Sequence, residues 1–340
     1  MTLTNFIRAV AFAVGAATVT VAQAADISGA GATFPFPVYA KWADSYKKDT
    51  GNGLNYQSIG SGAGIKQIKA RTVTFGATDA PLEPKELEKA GLAQWPMVMG
   101  GIVAVVNLDG VKPGDIVIDG PTLAQIYLGK ITKWNDPTLK ALNPKINLPD
   151  LAIVPIHRPD GSGTTFNFTY YLGEVSPDWK SQVGVATTVD WPGGIGAKGN
   201  DGVANNVATT KGAIGYVEFA YADQNKLTYA AMANKTGKVV TPTMEAFQAA
   251  AANADWDHAP GFYLILANQP GDKSWPMTAA TFILLPKDPP NKAAAKDAID
   301  FFKWAYEKGD KMAEDLDYIP MPDSVVALVE KMWAKDVKLN

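Results

Sequence analysis

Cysteine is absent from the 340 residues, which excludes disulfides, thiolate nucleophiles and cysteine-bound metals. Histidine is almost as scarce. Only His157 and His258 occur, too few for a multi-histidine zinc or iron centre. No block of basic residues stands out and the formal charge is −3, so no nucleic-acid partner is expected. The pattern G-x-x-x-x-G-K-[ST] is missing, which excludes a nucleotide P-loop, and no other cofactor motif is present. What is there is a globular composition: 47% hydrophobic, 19% charged, with 31 Gly and 23 Pro. At roughly 100–200 residues per domain, the length suggests about two domains.

The first 24 residues read as a secretory leader. Met1 to Arg8 holds one positive and no negative charge, Ala9 to Ala22 is an apolar run of small residues, and Ala22-Gln23-Ala24 fits a small-x-small cleavage site. The run falls short of the ~20 residues needed to span a bilayer. Cleavage near Ala24 removes only one charge, that of Arg8, and would release a protein starting at Ala25. No later run is a candidate membrane span. The product is expected to be soluble and exported, periplasmic if the cell has two membranes.

The rest alternates helical and strand periodicities. Val38, Trp42 and Tyr46 recur at i, i+4 and i+8 in Phe34 to Asp49, and Gly51 supplies a stop. Short β-branched runs predict strands at Gly101–Leu108, Ile116–Ile118, Ala152–Ile156 and Thr281–Leu285. Helices are predicted at 123–127, 243–252, 292–307 and 323–335. Such alternation argues for an α/β architecture of two lobes.

Three Gly-rich polar stretches each precede a helix: Gly29 to Phe34, Gly60 to Gly64 and Asp160 to Thr165. A helix N-terminus presents unpaired N–H groups and partial positive charge, glycine admits an anion close to the backbone, and Ser or Thr adds a hydroxyl donor. One such loop is indistinguishable from an ordinary cap; three suggest a shared oxyanion ligand. Arg158 precedes the third loop and offers a planar fork of donors, which Asp160 could hold in place. Asp79 lies in apolar surroundings that would bury it. A carboxylate beside an anion makes sense if the anion carries a proton to donate. The cluster His157, Asp160, Ser162 raises a hydrolase. Ser162 lacks the G-x-S-x-G elbow, however, and triad members usually come from distant segments. His157 reads as a strand-end residue.

These residues resemble the phosphate-binding proteins of bacterial high-affinity phosphate ABC importers. The matching segments are Gly29–Trp42, Tyr56–Ile68, Phe75–Leu82, Ile126–Trp134, Arg158–Thr164, Gly199–Gly202, Gly212–Glu218 and Leu316–Val326. The resemblance implies a two-lobed periplasmic-binding-protein fold of type II topology, with the ligand in a cleft between lobes joined by hinge crossovers. Residues 25–100 and 275–340 would form one discontinuous lobe and 101–274 the other. It further implies phosphate contacts at Thr33, Phe34, Ser61, Asp79, Arg158, Asp160, Ser162, Gly163 and Thr164. His157, Pro159 and Gly62 depart from the pattern beside those contacts. The implied function is non-catalytic: to bind inorganic phosphate, with arsenate as competitor, and deliver it as a monomer to a membrane permease. The alternatives are a receptor for another oxyanion or a phosphorylated solute, or a secreted phosphatase.

Overall fold

The computed structural model describes residues 27–340; the leader expected at 1–24 lies outside the described residues. In chain order the first elements are β1 (Ile27–Gly31), α1 (Phe36–Thr50), β2 (Leu54–Ser58), α2 (Ser61–Lys69), β3 (Phe75–Thr78), α3 (Pro84–Ala90) and β4 (Leu92–Val106). Next come β5 (Val117–Asp119), α4 (Gly120–Tyr127), α5 (Pro137–Leu142), β6 (Val154–His157), α6 (Gly163–Val175), α7 (Pro177–Gln182), β7 (Ile195–Gly196) and α8 (Gly199–Thr209). Then follow β8 (Ala213–Glu218), α9 (Phe219–Gln224), β9 (Thr228–Tyr229), β10 (Ala231–Ala233), β11 (Val239–Val240) and α10 (Met244–Ala251). The chain closes with β12 (Thr278–Pro286), α11 (Lys292–Lys308), α12 (Asp310–Glu314), β13 (Ile319–Pro320) and α13 (Asp323–Asp336).

One mixed sheet carries the order β2-β1-β3-β12-β4-β8-β6-β7, with β13 and β9 also pairing onto β4. β1 is parallel to both β2 and β3, and β6 is parallel to β8; β12 and β4 run antiparallel to their neighbours. β4 changes partner midway. Leu92 to Gly101 pairs with β12, whereas Ile102 to Val106 pairs with β8. Every residue of β3, β4, β8 and β12 is buried, as expected for strands covered on both faces.

The strand expected at Gly101–Leu108 is the second half of β4, which begins nine residues earlier. Pro96 obscures that beginning, because proline cannot donate to a ladder. Here it sits at a register shift against Thr281 and Phe282, where a ladder bond is not required. The first Gly-rich stretch also differs from expectation: Gly29 to Gly31 are strand, not loop. A Cβ on Gly29 would lie 2.0 Å from the Phe75 ring, and one on Gly31 would lie 2.0 Å from the Ala77 carbonyl oxygen. These glycines let β1 and β3 meet; the turn itself starts at Ala32.

Helix α1 buries Val38, Tyr39, Trp42 and Tyr46, and Trp42 Nε1 donates to the Gly309 carbonyl at 3.0 Å. Each such side chain contributes about 1.5–3 kcal/mol through burial. Phe302 of α11 meets the rings of Tyr39, Phe75 and Trp95 edge-on, tying α11 to α1, β3 and β4. That packing holds the start of β3 at Phe75, and the carboxyl ends of β1, β2 and β3 lead into the site.

Candidate functional site

The segments following β1, β2 and β3 face those following β6 and β7. In an open α/β sheet such carboxyl-end crevices are where ligands sit. The expected site residues Thr33, Phe34, Ser61, Asp79, Arg158, Ser162, Gly163 and Thr164 are all buried here, and Asp160 is partly so.

Arg158 leaves the end of β6 with a side chain only 1% exposed. Its backbone N–H donates to the Tyr216 hydroxyl at 3.1 Å, and its carbonyl accepts from Trp191 Nε1 at 3.1 Å. Nε and Nη2 donate to the two Asp160 oxygens at 2.7 and 2.5 Å, a bidentate fork. Nη1 reaches across to Thr33 Oγ1 at 3.2 Å. Burial pushes the Asp160 carboxyl upward, but the Arg158 hydrogen bonds and charge outweigh it and bring it below the usual range. The pair is neutral as a unit. An anion here is therefore met chiefly by aimed donors, not by excess positive charge.

Those donors are helix starts. Ser162 caps α6, its Oγ accepting from Thr165 N at 3.0 Å, while the N–H groups of Gly163 and Thr164 bond to no other described residue. The N–H groups of Ser61, at the start of α2, and of Phe34 are likewise uncommitted among the described residues. Gly60 precedes α2 with φ +94. A Cβ there would sit 2.7 Å from Asp160 Oδ2 and 2.8 Å from the Gly161 carbonyl oxygen, so only glycine fits. Gly62 N donates to that same Gly161 carbonyl at 2.9 Å, closing one rim of the site.

Asp79 follows β3 and is 1% exposed. Its backbone N–H donates to Ser61 Oγ at 3.1 Å, and its carbonyl accepts from Asn167 Nδ2 at 2.7 Å. Its Oδ2 is within 3.5 Å of Ser61 Oγ, and its Oδ1 has no hydrogen-bond partner. The turn before Pro81 is braced by Thr78, whose hydroxyl bonds to both groups of Ala80, so Asp79 is not needed to cap it. Burial pushes the carboxyl up to about 7, against the opposing influence of the Thr281 hydroxyl, the Arg158 charge and the Ser61 hydroxyl. A buried carboxyl poised near neutrality, with one oxygen unpartnered, can share a proton with a protonated oxyanion.

His157, Asp160 and Ser162 do not assemble into a relay. His157 stacks on Trp191 at 4.8 Å with its Nδ1 unpartnered, Asp160 is held by Arg158, and Ser162 caps its helix. Among the described residues no group of three His, Asp or Glu could hold a metal ion, and no described helix is long and apolar enough to cross a membrane.

Several participants carried no signal in isolation. Asn200 Nδ2 donates to Thr33 Oγ1 at 2.7 Å and to Thr164 Oγ1 at 3.1 Å. The Tyr221 hydroxyl donates to the Thr33 carbonyl at 2.6 Å, and the Tyr318 hydroxyl lies 2.6 Å from the Phe34 carbonyl oxygen and 2.7 Å from Glu218 Oε2. Burial holds the Glu218 carboxyl well above its ordinary range, with the Tyr318 hydroxyl opposing.

Fold and site together define a two-lobed α/β binding protein with a buried cluster of donors suited to a small oxyanion. A PBP superfamily domain matches residues 16–308. The phosphate-binding protein PstS of Xylella fastidiosa is 52% identical over 316 residues, covering 93% of this chain and 87% of that protein. The phosphate-binding protein PstS of Haemophilus influenzae is 52% identical over 321 residues, covering 94% and 96%. Among solved structures, a high-affinity periplasmic phosphate-binding protein, PfluDING, superposes with a TM-score of 0.73 at 20% identity, covering 90% of this chain and 93% of that one; this likeness speaks to the fold alone. The chain belongs to the PBP superfamily and, within it, to the family of PstS phosphate-binding proteins.

Proposed function

We propose that this protein is the receptor of an ATP-driven phosphate importer: it encloses inorganic phosphate between two lobes and hands it to a membrane permease. Residues 25–100 with 275–340 form one lobe in this reading and 101–274 the other, with β4 and the segment leading into β12 as crossovers. The observation that carries it is the buried Arg158 fork, held by Asp160 and bonded to Thr33, beside the buried Asp79 carboxyl, whose Oδ2 meets the Ser61 hydroxyl and whose Oδ1 is unpartnered. Thr33, Ser61, Ser162 and Thr164 would supply hydroxyl donors and Phe34 and Gly163 backbone N–H groups. The role is binding without catalysis, by a monomer in the periplasm once the leader is removed.

The names of the relatives support phosphate over other oxyanions. The test is calorimetric titration of protein unfolded to strip ligand and then refolded. One phosphate should bind per monomer, arsenate should compete, and a sugar phosphate should not. Absence of phosphate binding by correctly refolded protein would overturn the proposal.

A further inference from the structure

Thr33 and Thr164, one on each side of the site, are both governed by Asn200. This side chain is fully buried at the start of α8. Its orientation is fixed from behind, because the Glu218 backbone N–H donates to Asn200 Oδ1 at 2.9 Å. An N–H can donate only to the oxygen of the amide, so the NH2 end must face the threonines. One of its bonds runs to Thr33 Oγ1 at 2.7 Å and the other to Thr164 Oγ1 at 3.1 Å. Both amide hydrogens are thereby committed.

A threonine hydroxyl has two lone pairs and one hydrogen. Thr33 Oγ1 receives three donors: Asn200 Nδ2, the Asn200 backbone N–H at 3.2 Å and Arg158 Nη1 at 3.2 Å. Its lone pairs are fully engaged, and its hydrogen is left to point elsewhere. Thr164 Oγ1 likewise accepts from Asn200, and neither hydroxyl donates to any described residue. We infer that Asn200 is a positioning residue whose NH2 group takes up a lone pair on each threonine hydroxyl and so turns both hydrogens toward an oxyanion. The inference rests on the phosphate-receptor reading above and adds the group that sets hydroxyl polarity. It also gives Asn200 a directional role: an acceptor in its place would draw the two hydrogens away from the ligand.

A double-substitution cycle tests it, using equilibrium dialysis against radiolabelled inorganic phosphate and ligand-free melting temperature as a second readout. Asn200→Ala should raise the Kd roughly tenfold, about the worth of lost orientation at a charged acceptor. In a Thr33→Val background only the Thr164 arm remains, and the same substitution should cost no more than about threefold. Asn200→Asp preserves volume but accepts both hydroxyl hydrogens, and should weaken binding more than Asn200→Ala, by on the order of 100-fold. A merely structural asparagine predicts Kd losses that follow the melting temperature and the same cost in both backgrounds. Equal cost in both backgrounds, or Asn200→Ala within twofold of wild type, overturns the inference. If the alanine variant does not fold, the cycle is run with Asn200→Asp and judged by the same non-additivity. Wild-type protein that binds no phosphate would instead overturn the receptor reading itself.

Discussion

Asp79→Asn should stabilise the phosphate-free protein, and by an amount that depends on pH. In the fold the carboxyl titrates at about 7, against an ordinary 3.8. The difference is about three units, and at roughly 1.4 kcal/mol per unit it amounts to about 4 kcal/mol. The carboxyl is almost wholly buried, so little of this is screened by solvent. Because the folded value is raised, the stability associated with the neutral carboxyl is complete below the unfolded value near 4. It declines as pH rises through the interval up to about 7 and is constant above that. Asparagine retains the shape and has no such titration. Urea unfolding of both proteins, stripped of ligand and measured at intervals from pH 4.5 to 8, isolates the effect as a difference. The asparagine variant should gain little at pH 4.5 and up to about 4 kcal/mol at pH 8, the full value belonging to the closed seam in which Asp79 is buried. A difference that stays flat across this range would refute the argument that burial governs Asp79.

The same substitution bears on selectivity. Phosphate and Asp79 can share a proton, whereas sulfate brings none and meets an ionised carboxylate as an unrelieved like charge. Wild-type protein should ignore millimolar sulfate and Asp79→Asn should narrow the phosphate-to-sulfate ratio in calorimetry; an unchanged ratio removes proton reading from the site. Arg158→Ala should weaken phosphate binding roughly ten- to a hundred-fold, and Arg158→Lys should recover only part, because a lysine cannot reproduce the fork onto Asp160 and Thr33; an unchanged Kd for the alanine variant would take Arg158 out of the site. Phosphate should reduce the radius of gyration in solution scattering, since contacts such as Gly62 N to the Gly161 carbonyl form only when the two sides meet, and identical profiles with and without ligand would count against closure.

What could be read from the sequence was what is decided locally. Helix α1 announces itself through Val38, Trp42, Tyr46 and the αL glycine at Gly51, and the structure places it at Phe36–Thr50. The third loop was legible because Ser162 and Gly163 form a cap whose chemistry is complete within four residues. The chain was less legible where a residue's meaning depends on a distant neighbour. Gly29 and Gly31 look like loop glycines until Phe75 and Ala77 arrive beside them from β3. Pro96 conceals half of β4 because its bulge is defined by β12, nearly 190 residues later. Asn200, Tyr221 and Tyr318 converge on Thr33 and Phe34 from three separate segments, with Glu218 behind Tyr318. The Gly199–Gly202, Gly212–Glu218 and Leu316–Val326 matches marked their neighbourhood, and none of them suggested a role. Asp79 lies between these cases: its apolar flanks predicted burial, but only the fold leaves Oδ1 unpartnered and moves its titration to neutrality.

The seam between the two sides of the site is stitched by polar contacts: Arg158 and Asn200 to Thr33, Tyr221 to the Thr33 carbonyl, Asn167 to the Asp79 carbonyl, and glycine backbone to glycine backbone at Gly62 and Gly161. Water can replace each of these bonds when the seam parts, and each is worth little on exchange. Glycine at the rim also leaves no side chain to act as adhesive. On the proposed closure, the empty protein would have only a shallow preference between open and closed shapes, and a single bound anion would be enough to tip it. The same shallowness makes release undemanding, because a membrane partner has to outweigh only the anion's own contacts and not a sticky interface of the receptor's making.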